Sequence, residues 1–158
     1  MKKLLKENKG FSLVELLVAL LIMAVIAGTA ITLFGGVLET SKVRADNETA
    51  ESVKRSILTY MNASNDINLK ALGMVTGSND VALIKALTGK TVITTGGAIN
   101  GSTTTVKDPN AIEGDYGPYL EKEVTPTQNG KNGWTIKVNP ITMVISVEAT
   151  SGGSLTIN

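Results

Sequence analysis

The sequence contains no cysteine and no histidine. The first absence excludes disulfides and thiolate nucleophiles. The second removes the usual general base at neutral pH, and together they remove the commonest transition-metal ligands. A serine or threonine nucleophile served by a lysine base is what remains, and no spacing in the chain supports one. Gly96-Gly97 lacks the Lys-Ser/Thr sequel of a phosphate-binding loop. Neither catalysis nor a bound cofactor is therefore expected. Aromatic residues make up only 4% of a chain that is 42% apolar, so the hydrophobicity is aliphatic and much of it is gathered in one place.

That place is near the N-terminus. Within 158 residues there is room for one modest domain and an anchor. Residues 11–34 carry a single ionisable side chain, Glu15. At about 1.5 Å per helical residue the stretch is long enough to cross a hydrocarbon core of about 30 Å. Lys2, Lys3, Lys6 and Lys9 precede it. A removable secretory signal has a shorter apolar region, about 7–15 residues, closed by a small-residue cleavage site. A plain single-pass anchor, with its lysines held in the cytoplasm, accounts for the length and the charge bias. It leaves Glu15 unexplained, because a charge costs roughly 2.5–3.5 kcal/mol at the centre of a spanning helix and less toward the interface.

The run Lys9-Gly10-Phe11-Ser12-Leu13-Val14-Glu15 resembles the prepilin signal of type IV pilins and pseudopilins. The resemblance implies an α+β, type IV pilin-like fold in which a long N-terminal helix packs on a small antiparallel sheet. It implies that residues 1–10 are a leader, cut between Gly10 and Phe11 by prepilin peptidase, and that the new Phe11 amine is methylated. Glu15 would meet that amine on a neighbouring subunit and set the axial register of a helical homo-oligomer. Further implied partners are an assembly ATPase, a platform protein and minor pilins. The protein would begin as a single-pass precursor in the cytoplasmic membrane and end in a surface filament serving adhesion, motility or aggregation. A pseudopilin of type II secretion or of competence DNA uptake is the alternative, and a monomeric anchored binding module is a third class.

Removing the leader takes away four lysines and Glu7 and leaves 11 basic against 13 acidic side chains. Net charge then gives no general attraction to nucleic acid. After the core segment 11–38, residues 39–63 continue the helix in amphipathic form. Val43, Ala50, Val53, Ile57, Tyr60 and Met61 make one apolar stripe, and Glu39, Lys42, Arg44, Asp46, Glu48, Glu51 and Lys54 are assigned to the wetter faces. Gly28, Gly35 and Gly36 each weaken the helix by roughly 1 kcal/mol relative to alanine, so bending or melting on assembly is expected there. Many pilins carry a proline in this region; here Thr29 and Thr32 occupy it.

The head should span 64–158. Ser78-Asn79-Asp80 caps a short helix at 80–88 whose Leu83, Ile84 and Leu87 face the core, with Gly89 past its end. Residues 91–95 and 102–106 read as paired strands joined by a loop. Trp134, Ile136 and Val138 alternate with polar residues, as do Ile141, Met143, Ile145 and Val147, and Leu155 and Ile157 add a last strand. An antiparallel sheet is expected. Gly117-Pro118-Tyr119-Leu120 is similar to an element in the heads of major pilins and pseudopilins. Asp108, Glu113 and Asp115 offer the oxygen ligands that suit calcium, but they form no recognisable ligand pattern and no metal site is assigned.

Overall fold

A single helix dominates the chain. The computed structural model describes residues 11–94, 97–100, 102–106 and 109–158, with the backbone alone over 97–100 and 102–106. Helix α1 runs unbroken over Leu13–Ser64, 52 residues. The chain divides into two units, one ending at Thr40 and the other running from Ser41 to Asn158.

In the first unit every large apolar side chain from Phe11 to Leu38 is exposed, from 48% at Val18 to 82% at Leu13. The threonines there are satisfied within the helix. Thr29 Oγ1 donates to the Ile26 carbonyl at 3.0 Å and Thr32 Oγ1 to the Thr29 carbonyl at 2.8 Å. Such back-bonding lets a hydroxyl sit in an apolar medium without an orphaned donor. The helix is continuous through Gly28, Gly35 and Gly36.

In the second unit Ala50, Val53, Ile57, Tyr60 and Met61 are buried as the periodicity requires. Val43 is not, at 37% exposure. Asp46, assigned from the sequence to a wet face, is only 2% exposed. The correction has a simple cause: Asp46 lies four residues before Ala50 and seven before Val53, on the same stripe. α1 ends where Asn65 takes a left-handed conformation, φ 57°, which asparagine tolerates better than most residues. Asp66 follows, fully buried. It accepts the Tyr60 hydroxyl at 2.7 Å and the backbone N–H groups of Lys70 and Ala71, both at 2.9 Å. Burial and the neighbouring Asp66 charge push the Tyr60 hydroxyl pKa well up, so it stays a donor.

Helix α2 spans Asp80–Thr88, capped by the Asn79 side chain on the Val81 N–H at 3.0 Å and closed by the Gly89 N–H on the Lys85 carbonyl. Leu83, Ile84 and Leu87 are buried, as expected. The Leu87 carbonyl accepts the N–H groups of both Tyr119 and Leu120, so the Gly-Pro-Tyr-Leu element ties the end of α2 to the core. Tyr60 meets Tyr116 and Tyr119 edge to face, at 6.2 and 6.1 Å between ring centres.

Two sheets complete the head where one was expected. The first holds β1 (Thr91–Thr94), β2 (Gly97–Asn100), β3 (Ser102–Val106) and β4 (Gly114–Tyr116) in the order β3-β2-β1-β4. The expected pair 91–95 and 102–106 does not form directly, because β2 lies between them; β4 was not foreseen. Asp115 is paired with Lys90 at 2.6 Å, Glu113 is exposed, and Asp108 of the suggested calcium cluster lies outside the described residues.

The second sheet has the order β6-β5-β7, from β5 (Gly133–Asn139), β6 (Val144–Thr150) and β7 (Ser154–Ile157). Trp134, Ile136, Val138, Ile145 and Leu155 are buried on one face. Ile141 departs from the expected strand: it sits in the β5–β6 turn at 89% exposure, held by the Asn139 side chain accepting its N–H at 3.0 Å. The sheet is also mixed, because β7 runs parallel to β5. β6 ends opposite Gly133, the start of β5; the chain then crosses that end and can continue only in the direction of β5. A Cβ at Gly133 would come within 2.5 Å of the Gly153 nitrogen, and one at Gly153 would overlap the Asp80 carboxylate. Asp80, itself 2% exposed, accepts the Trp134 N–H at 2.7 Å. The crossing therefore requires glycine at both positions.

Two expectations follow. Gly153→Ala should destabilise the head by about 2 kcal/mol or more, lowering Tm by about 5 °C or more. Gly152→Ala, which meets nothing within 4 Å, should be nearly neutral in the same melts. Asp46 gives a pH signature. Burial opposes its ionisation, but the hydrogen bonds from Thr127 and Gln128 outweigh this and hold its pKa below the ordinary 3.8. The unfolded chain thus takes up the proton first, so the stabilisation is complete above about pH 5 and is lost as pH falls through and below 3.8. Thr127, which supplies two of those bonds, is itself exposed, so Asp46→Asn should cost about 1 kcal/mol at neutral pH and flatten the acid limb of the stability curve. Melts of both proteins in detergent between neutral and acid pH provide the check.

Candidate functional site

The start of α1 is built by a short polar sequence ahead of a long apolar one. Ser12 stands just before the helix, and its carbonyl accepts the Leu16 N–H at 3.2 Å, closing the first turn. Glu15 is the acidic residue of that turn. A carboxylate here is favoured by the helix dipole, and Ser12-Leu13-Val14-Glu15 has the spacing of a capping box. Among the described residues Glu15 takes part in no ion pair. It is the only ionisable side chain from residue 11 to 38, and exposed aliphatic and aromatic side chains surround it along the helix.

An apolar surface this long is not left in water, since exposed apolar patches on soluble monomers rarely exceed a few hundred Å². α1 is long and apolar enough to cross a membrane. A helix also satisfies its own backbone, which a hydrocarbon medium demands. Phe11, two residues ahead of the helix, is 81% exposed. Glu15 follows residue 11 by four positions and lies in the first turn of α1. Gly10 and the lysines before it lie outside the described residues.

The residues whose burial the sequence did not announce are Asp46, expected on a wet face, Asp80, expected only in a helix cap, and Asp66, all buried in the head. Asp46 was detectable from its place on the apolar stripe. Asp66 and Asp80 carry no periodic signal: Asp66 is buried by the turn that follows it, whose Lys70 and Ala71 N–H groups it accepts, and the partner of Asp80, Trp134, comes from a distant segment. None of the three lies near the start of α1 in the sequence, and their hydrogen bonds are structural.

A family model for the prokaryotic N-terminal methylation motif matches residues 5–31. Neither a curated protein nor a solved structure matches the chain. The match covers Lys6, Lys9, the Gly10-Phe11 junction, Glu15 and most of the apolar stretch that follows. With its apolar N-terminal helix and small α+β head, the chain is a precursor bearing the class III prepilin signal of type IV pilins and pseudopilins.

Proposed function

We propose that the protein is a structural, non-catalytic subunit of a type IV pilus filament, cut between Gly10 and Phe11, methylated on Phe11 and polymerised through α1. The observation that carries this reading is the lone Glu15 in the first turn of α1, within the otherwise uncharged apolar stretch 11–38 whose large side chains are all exposed. In the membrane that carboxylate is a liability. In a filament core it gains a partner, the Phe11 amine of an adjacent copy. Opposite charges about 4 Å apart attract by about 4 kcal/mol at an effective dielectric near 20. A copy displaced along the axis leaves both charges unpaired, so the pair selects one register. The exposed apolar surface of residues 11–38 supports the same reading, because it can be covered by lipid before assembly and by neighbouring copies after it.

The test is peptide mass spectrometry on membrane and sheared surface fractions. Mature chains beginning at methylated Phe11 are expected in the sheared material. The same processed chain confined to membranes would favour a pseudopilin of type II secretion or DNA uptake, and an intact leader in working protein would overturn the reading. Gly10→Leu should block processing and leave full-length precursor in the membrane; a mature product from that variant would refute the assigned cleavage site. Glu15→Ala should be processed yet give at least tenfold fewer filaments, a loss of about 1.4 kcal/mol or more per assembly step, and unchanged filament yield would remove the pairing role.

A further inference from the structure

The segment between β4 and β5 behaves as a strap along α1. Its contacts with the helix fall in reverse order. Ser56 Oγ donates to the Tyr119 carbonyl at 3.0 Å, Asp46 accepts from residues 127 and 128, and Lys42 Nζ donates to Asn129 Oδ1 at 2.9 Å. The strap therefore runs antiparallel to the helix over about 20 Å of its length. Its upper part is held by burial: Leu120 is 7% exposed, and Val124 packs on the core while its carbonyl accepts Trp134 Nε1–H at 3.0 Å. Its lower part has no such support. There the Asp46 carboxylate takes four hydrogen bonds, from the Thr127 N–H and Oγ1, both at 2.8 Å, and from the Gln128 N–H at 3.1 Å and Nε2 at 2.9 Å.

The helix has the same deficit on its side. From Thr40 to Thr49 the only buried residue is Asp46; apolar burial starts at Ala50. Among the described residues, no buried hydrophobic side chain fastens these turns to the head. Four donors on one ionised carboxylate make a strong joint, since hydrogen bonds to charged groups exceed neutral ones. The joint is nevertheless local, because neither Asp46 nor its partners Thr127 and Gln128 belong to the apolar core.

We infer that Asp46 is a positioning residue, a polar latch through which the strap residues Thr127 and Gln128 hold the Ser41–Thr49 turns of α1 to the head, and which can open while the core stays folded. The inference stands on the geometry of the head and goes beyond the filament reading.

Because the chain has no cysteine, two introduced cysteines carry all of a spin label. Double electron–electron resonance on the full chain in detergent would use Arg44→Cys with Lys131→Cys across the latch, and Lys85→Cys with Lys137→Cys within the head as a control. With Asp46 present, the latch pair should give one narrow distance. Asp46→Ala should lose it to a broad distribution while the control pair keeps its distance. Gln128→Ala, which removes one side-chain donor and retains the carboxylate, should broaden the latch pair to a lesser degree and gives the reading if Asp46→Ala does not fold. A latch pair that stays narrow in the variants would overturn the inference. So would control and latch pairs that broaden together, since Asp46 would then be a general stabiliser of the head.

Discussion

One helix has to satisfy two environments, and the rest of the molecule follows from that constraint. From residue 11 to 38 α1 offers apolar side chains on every face, which suits hydrocarbon or the flanks of identical helices. From Ala50 to Met61 only one stripe is apolar, and it shares one hydrophobic core with Trp134, Ile136, Val138 and Leu155 of the second sheet and Leu83 and Leu87 of α2. Because the helix meets its own backbone hydrogen bonds throughout, the same backbone serves both media, and only the side-chain pattern changes. Glu15 is the one ionic exception in the first stretch, and the proposed assembly role rests on it.

The head compensates for what it lacks. Without disulfides, and with few aromatics, it joins its segments at buried carboxylates. Asp46 collects the strap, Asp66 collects the end of α1 and the turn that follows, and Asp80 collects the start of β5 at the glycine crossing. Each accepts donors from segments distant in the chain or from a turn that would otherwise leave backbone N–H groups unpaired. A buried charge without such donors would be expensive, whereas one with several fixes a unique arrangement. The tyrosine trio around Tyr60 adds apolar area beside Asp66, so the polar joint and the apolar core meet at one point.

Much of this was legible before any coordinates. The anchor, the amphipathic stripe and α2 follow from periodicity and capping, and Trp134, Ile136 and Val138 declare their face by alternation. The errors came where a residue's environment is set by chain segments far away. Ile141 continues the alternating pattern, yet Pro140 and the Asn139 side chain turn the chain there and leave it exposed. The residues of β2 look like a turn because glycine and asparagine flank them, and pairing on both edges makes them a strand. β7 was expected to be antiparallel, and the crossing over Gly133 made it parallel.

The sequence by itself determined the signal, the membrane-length helix and the charge within it, because these depend on local order and on spacing along one element. It also determined which residues of α2 and β5 face inward. Tertiary structure alone decided the two-sheet arrangement, the partners of Asp46 and Asp80 and the route of the strap along α1. Those features rest on hydrogen bonds and close approaches between residues as far apart as Asp46 and Gln128, or Asp80 and Trp134. No local pattern encodes such contacts, since each exists only once the rest of the chain has brought its partner into place.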